Sequence, residues 1–397
     1  MASFKSVAAA ASLLAMLPTA MAGFNPGSNK NIAVYWGQNS YNQGTGPLAQ
    51  QRLGTYCANT DISIIPLAFM NGISPPITNF ANAGDNCTAF PDNGNVLSCP
   101  QIEEDIKTCQ SKYGKTILLS LGGATYSQGG WSSSGPAESA AQMVWDMFGP
   151  VPSGKTIDRP FGTAVVDGFD FDFESSANNL PAFGAKLRSL MDGAGGKKYY
   201  LSAAPQCVFP DAAVGAVLDA VPFDFVNIQF YNNWCGVSNF QPGASTQNAY
   251  NFDVWDKWAK GSKNPGVKLL IGVPAAQGAG GGYTNGAKLK AAINYSQQFS
   301  SFGGVMMWDM SQLYSNSGFL SEVLSDISGG PTTTTPPVTT TTSSPGTTPP
   351  TSTSSPPPSG GGLDQYAQCG GQGYNGPTVC KAPWKCVKQS QWWSACN

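Results

Sequence analysis

Residues Asp167-Gly168-Phe169-Asp170-Phe171-Asp172-Phe173-Glu174 put four carboxylic acids and three phenylalanines into eight consecutive positions, in a chain only 11% charged. Successive side chains of an extended strand point to opposite faces. Asp170, Asp172 and Glu174 therefore share one face and the phenylalanines share the other. The Phe face requires apolar cover, and the carboxyl groups then stand about 7 Å apart along the opposite face. Crowded, desolvated carboxylates raise the pKa of at least one of their number. A protonated acid beside ionised ones is the equipment for breaking a glycosidic bond. A calcium loop or a solvated acidic edge uses similar residues, but strict alternation with Phe describes a packed strand instead. Asp167 has the opposite parity, which assigns it a structural place near the start of the strand.

Composition narrows the chemistry further. The 397 residues include no histidine, which removes Ser-His-Asp and Cys-His catalysis and His-ligated metal sites. Proton transfer falls to carboxylates, tyrosines or lysines, and we expect neither a cofactor nor a metal. A net charge of −2 offers no basic footprint for nucleic acid or an anionic membrane. We expect a monomer.

The first 22 residues read as a secretory signal: Lys5, a short apolar run at 7–17, and the small-x-small site Ala20-Met21-Ala22. The run is too short to span a membrane, so the mature chain is expected to begin at Gly23 outside the cell. Ten cysteines in an exported chain imply five disulfides. Six fall in the large region (Cys57, Cys87, Cys99, Cys109, Cys207, Cys235) and four near the end (Cys369, Cys380, Cys386, Cys396). Six cysteines allow fifteen pairings, and spacing alone does not choose among them. Two sequons, Asn86-Cys87-Thr88 and Asn294-Tyr295-Ser296, permit glycosylation.

Apart from Val338, residues 330–362 are Thr, Ser, Pro and Gly, too little apolar surface to offset the entropy of ordering. They read as a linker with a reach on the order of 100 Å. It separates a domain at 23–329 from a small module at 363–397. In the large domain apolar runs at 31–39, 61–70, 115–124, 164–174, 198–207, 223–233, 267–277 and 302–312 alternate with helical segments such as 101–113, 137–148, 180–192 and 287–299. Eight such units predict an α/β fold, a (β/α)₈ TIM barrel, over an open doubly wound sheet. The latter would carry a Gly-rich phosphate loop after its first strand, where this chain reads Tyr35-Trp36-Gly37-Gln38-Asn39. The glycine run 278–282 lacks the lysine of a phosphate loop and reads as a flexible surface loop. Barrel sites form at the carboxyl ends of strands. Tyr35, Asp172, Glu174, Gln229, Tyr231, Asn232 and Trp308 fall there, and rings with amides beside acids suit a sugar.

The acid strand resembles the D-x-x-D-x-D-x-E signature of glycoside hydrolase family 18, and Ser120-Leu121-Gly122-Gly123 resembles that family's S-x-G-G motif. Tyr35-Trp36-Gly37-Gln38-Asn39, Ala203-Ala204-Pro205-Gln206-Cys207, Gln229-Phe230-Tyr231-Asn232-Asn233 and Val305-Met306-Met307-Trp308 are similar to its class III (hevamine-like) chitinase branch. The resemblance spans about residues 30–328. It implies Glu174 as the general acid, Asp172 as the group that orients the substrate acetamide, and Asp170 as its proton-sharing neighbour. It implies Tyr231 as a donor to the acetamide carbonyl, Tyr35, Gln229 and Asn232 as groups seating the sugar, and Trp308 as its floor. Family 18 departs from the usual two-carboxylate schemes by using the substrate's own acetamide. The resemblance also implies disulfides Cys57–Cys109, Cys87–Cys99 and Cys207–Cys235. Ser175-Ser176 stand where plant members of the branch carry His-Gly.

The tail from Tyr366 to Cys380 is similar to fungal family 1 carbohydrate-binding modules. That likeness implies bridges Cys369–Cys386 and Cys380–Cys396 and a flat face of Tyr366, Trp392 and Trp393 for chitin or cellulose surfaces. Ser390 and Ala395 replace the Asn and Gln usual on that face. The function expected is a secreted endochitinase. The alternatives are an endo-β-N-acetylglucosaminidase on N-glycans, a non-catalytic chitin lectin, which would lack the acid glutamate, and a cellulase or xylanase, which would not need Asp172 and Tyr231.

Overall fold

The computed structural model describes residues 23–329, 362–363, 368–370, 376–388 and 394–396. The signal segment, nearly all of the linker, and Tyr366, Trp392 and Trp393 lie outside them. Eight parallel strands close into a barrel: β1 Asn31–Val34, β2 Ile64–Met70, β3 Thr116–Gly123, β4 Gly168–Phe173, β5 Tyr200–Ala203, β6 Phe225–Gln229, β7 Lys268–Pro274 and β8 Phe302–Trp308. Each strand pairs with the next, and β8 pairs with β1 to complete the circle. Helices α1 Leu53–Cys57, α2 Pro100–Ser111, α3 Ser134–Phe148, α4 Leu180–Gly193, α5 Gly215–Ala220, α6 Phe252–Gly261, α7 Gly286–Ser296, α8 Met310–Ser315 and α9 Phe319–Ser328 fall between and after the strands. In α6 the buried residues Phe252, Trp255, Asp256 and Ala259 follow the three-and-four spacing of one inward stripe.

Strand β4 shows why its sequence alternates. Phe169 meets Trp145 of α3 at 6.2 Å between ring centroids, Phe171 meets Phe183 of α4 at 5.7 Å, and Phe173 meets Tyr126 edge-on at 4.9 Å. The phenylalanines therefore fill the layer between sheet and helices, and Asp170 and Asp172 are turned into the barrel. Below them the interior is apolar, with Ala33, Ile64, Leu118, Phe225 and Leu270 in one buried cluster. Phe24 enters from the amino-terminal side, 4.5 Å from the Phe225 ring and 5.1 Å from that of Tyr200. Asp167 sits at that lower end. Its carboxylate accepts from Ile117 N at 2.8 Å, Gln110 Nε2 at 2.9 Å and Lys197 Nζ at 2.6 Å, which ties β3, α2 and β5's approach to the start of β4.

The strands are shorter than the apolar runs that encode them. β6 stops at Gln229 although the run continues to 233, because Phe230 turns outward against Tyr250 at 4.7 Å. Two small antiparallel pairs, Gly72–Ile73 with Pro76–Ile77 and Thr88–Phe90 with Asn93–Ser98, lie between β2 and α2. They contain too few alternating residues to read as strands in the sequence. Disulfides join Cys57–Cys109, Cys87–Cys99 and Cys207–Cys235. In the module, Gln368–Gly370 and Cys386–Lys388 flank Ser394–Cys396 in an antiparallel sheet. Bridges Cys369–Cys386 and Cys380–Cys396 staple it, as so small a core requires. Of the sequons, Asn86 and Thr88 are exposed, whereas Ser296 is fully buried in α7 and bonded to Tyr250 at 2.9 Å.

Gly168 opens β4 at φ +148°, and a Cβ there would lie 1.8 Å from Tyr200 O. No side chain fits without breaking the β4–β5 pairing. Gly168→Ala is expected to destabilise the fold by about 4 kcal/mol or more. Urea unfolding measures it, and a midpoint equal to wild type would contradict this packing.

Candidate active site

The site is a column of acids inside the upper barrel. Register places Ser120 of β3, Asp170 of β4 and Ser202 of β5 at one level, since Asp170 pairs with both serines. Asp170 is completely buried and takes three hydroxyl donors: Tyr35 Oη and Ser120 Oγ at 2.7 Å to Oδ2, and Ser202 Oγ at 2.6 Å to Oδ1. Burial pushes its carboxyl up, and the hydroxyl donors of Ser202, Ser120 and Tyr35 hold it back. Hydrogen bonds to the charged form are what make a buried carboxylate tolerable.

Asp172 stands one step higher, also buried, with Gln229 Nε2 donating to Oδ1 at 3.0 Å. Burial pushes it well above the usual carboxylate range, and the charges of Glu174, Asp170 and Asp211 add to the push. The S-x-G-G glycines explain how β3 passes so close. Gly122 lies at φ +106°, and a Cβ there would press on Asp172 O at 2.9 Å; one at Gly123 would meet the Phe69 ring at 2.8 Å.

Glu174 follows the end of β4 and is exposed at the mouth. Its carboxyl is still crowded enough that burial pushes it up, with Asp211 adding and Gln229 opposing. The Gln229 amide reaches Glu174 Oε1 at 3.4 Å and Ala204 O at 3.0 Å as well as Asp172. One side-chain amide thus spans the two upper acids.

These groups line a cleft of about 220 Å³ with Tyr35, Phe69, Tyr231, Asn232 and Trp308, room for about seven waters. Trp308 stacks on Phe69 at 5.9 Å and leans on Tyr35 at 5.5 Å, leaving a half-buried indole face. Burial, reinforced by Asp172, Glu174 and Asp309, pushes the Tyr231 phenol well above its usual value, so it stays a hydrogen donor. Tyr35 spends its hydroxyl proton on Asp170 beneath. Asn232, at φ +57°, turns its Oδ1 to Gly281 N at 2.6 Å, while its own N–H donates to Gly281 O at 2.8 Å. The glycine run after β7 is therefore hydrogen-bonded to the site through Gly281, and Ala279 lines the cleft.

The structure brings Asp170, Asp172, Glu174, Tyr35, Gln229, Tyr231, Asn232 and Trp308 to one end of the barrel. It adds Phe69, Ser202 and Asp211. Ser202 had a signal, as an aliphatic hydroxyl between Leu201 and Ala203 in a short buried strand; Phe69 looked like any core residue, and Asp211 like any turn acid after proline.

The raised Asp172 carboxyl has a consequence for stability. A carboxyl whose folded pKa exceeds its unfolded one disfavours the fold as pH rises between the two values and has no such cost below both. Asp172→Asn is thus expected to raise the melting temperature at neutral pH, with the gain vanishing below about pH 4. Melting curves across pH check this; a variant no more stable than wild type at neutral pH would contradict it.

Residues 31–281 match the family described as Glycosyl hydrolases family 18, and residues 365–393 match the fungal cellulose binding domain. The chain is 63% identical over 320 residues to Endochitinase 33 of Trichoderma harzianum, covering 81% of this chain and 98% of that protein. It is 46% identical over 338 residues to a class III chitinase of Arthroderma benhamiae, covering 83% and 95%. Among solved structures, the ICChI chitinase of Ipomoea carnea matches with TM-score 0.58 at 30% identity, over 75% of this chain and 99% of that one. The xylanase and α-amylase inhibitor protein XAIP-II of Scadoxus multiflorus also matches with TM-score 0.58, at 29% identity over 76% and 98%. A protein named for inhibition on this fold means that activity must be argued from the site. The family match covers more than half of the chain and includes the acid strand, so the chain belongs to glycosyl hydrolase family 18.

Proposed function

We propose that this chain is a secreted endochitinase that cleaves internal β-1,4 bonds of N-acetylglucosamine polymers with retention, using the substrate's own acetamide. The observation that carries the reading is the graded acid column: Asp170 buried and triply hydrogen-bonded, Asp172 buried with one donor, and Glu174 open at the mouth. Its elevated pKa keeps Glu174 protonated where an ordinary glutamate would be ionised, and it is the most exposed of the three, at the mouth of the cleft.

In this mechanism Glu174 gives its proton to the glycosidic oxygen as the C1–O bond breaks. The acetamide oxygen bonds to C1 from the opposite face, and an oxazolinium ring forms. Asp172 accepts the acetamide N–H and stabilises the positive charge spreading onto it, while Asp170 behind it shares proton and charge. Tyr231 donates to the acetamide oxygen and aims it. Tyr35 and Gln229 act through the acids they hold, Asn232 shapes the rim, and the Trp308 face supports the sugar. Water then attacks C1 and returns a proton to Glu174 as the ring opens. Two inversions at C1 leave the β configuration. The module would hold the enzyme on insoluble polysaccharide through Tyr366, Trp392 and Trp393, raising its local concentration through the linker.

Product analysis on chitin oligomers, cellulose and an N-glycoprotein tests the reading. N-acetylglucosamine oligomers from chitin alone are expected, and released N-glycan would favour the endo-β-N-acetylglucosaminidase alternative. Glu174→Gln is expected to lower turnover at least about 10²–10⁴-fold with oligomer binding retained. Near wild-type turnover would overturn the proposal.

A further inference from the structure

Asp211 lies in the loop between β5 and α5 and is not part of the cleft wall, yet a hydrogen-bonded frame leads from it to the acid pair. It is 9% exposed. Its carboxylate accepts three backbone N–H bonds: from Gln206 at 2.9 Å, Ala213 at 2.8 Å and Val214 at 2.7 Å. Gln206 in turn faces Gln229 across a parallel bridge. Gln229 N donates to Pro205 O at 2.8 Å, and Cys207 N donates to Gln229 O at 3.2 Å. The Cys207–Cys235 disulfide and Asn233 Nδ2, which reaches Gln206 Oε1 at 3.1 Å, close the same frame. At its end stands the Gln229 amide on Asp172 and Glu174.

We propose that Asp211 is a positioning residue of the site, fixing the Gln206–Gln229 frame that holds the amide against the acid pair and placing a fourth acid within electrostatic reach of both. The proposal rests on Glu174 being the proton donor. Burial pushes the Asp211 carboxyl up, and its three N–H donors oppose that push by favouring the ionised form. A like charge in reach makes Glu174 and Asp172 keep their protons to higher pH. The other titratable groups facing them are Asp170 on β4, Tyr35 after β1 and Tyr231 after β6, with Asp309 after β8 acting on Tyr231. Among the described residues, no lysine or arginine lines the cleft. Asp211 therefore works in the same direction as the other acids, with no cation to mask it.

The test compares wild type, Asp211→Asn, Asp211→Glu and Glu174→Gln on a soluble chitin oligomer across pH. Removing the Asp211 charge lets Glu174 lose its proton at lower pH. The alkaline limb of kcat/KM is thus expected to move toward acid in Asp211→Asn. With the frame loosened, kcat is expected to fall by roughly tenfold or more, with a smaller change in KM. Asp211→Glu is expected to restore the limb. An Asp211→Asn enzyme with the wild-type limb and kcat overturns this inference while Glu174→Gln stays inactive; an active Glu174→Gln overturns the mechanism beneath it. Should Asp211→Asn fail to fold, carbon-13 NMR titration of the wild-type carboxyls decides. Asp211 is expected to ionise at lower pH than Glu174, so that its charge stands while Glu174 still holds its proton. An Asp211 that ionises only after Glu174 overturns the proposal.

Discussion

Burial of the Asp170 carboxyl is the constraint on which the site depends. A carboxylate in a barrel interior is tolerable only with its lone pairs occupied, and here three hydroxyls from β3, β5 and the residue following β1 occupy them. Each donor is correct only if its strand holds the observed register. The network and the barrel thus specify each other: a slip of one residue in β3 would send Ser120 into the helix layer and leave Asp170 unsatisfied. Tyr35, engaged below by Asp170, also supports Trp308, so the position of the sugar floor follows from the same bond.

Above Asp170 the surroundings change step by step, and the chemistry follows. Donors become fewer from Asp170 to Asp172, and solvent returns at Glu174. With no lysine or arginine among the described residues of the cleft wall, every charge in the column pushes its neighbours toward protonation. Such an arrangement works against the stability of the fold, as sites that hold strained charges commonly do. The three phenylalanines on the opposite face of β4, packed on α3, α4 and Tyr126, anchor the strand that carries it.

Parity made much of this legible in advance. Alternation in 167–174 separates inward acids from outward rings, and eight apolar runs between helical ones describe the closed barrel. Strand ends were less legible, because aromatic residues such as Phe230 serve the helix layer as readily as a strand. The resemblance names Asn232 as a group seating the sugar; its place in the cleft wall was legible that way, whereas the bond of its side-chain oxygen to Gly281 N was not. Asp211 acts through backbone N–H groups and a neighbouring strand, and no spacing pattern in a single sequence encodes such a contact.

The central claim is that the acids serve the substrate's acetamide and activate no water for direct displacement. Proton NMR of the product in the first moments of chitin-oligomer hydrolysis, before mutarotation, tests it most directly. The account predicts that the new reducing end appears as the β-anomer and only later equilibrates. An initial α-anomer would mean single displacement by water and would contradict the role assigned to Asp172.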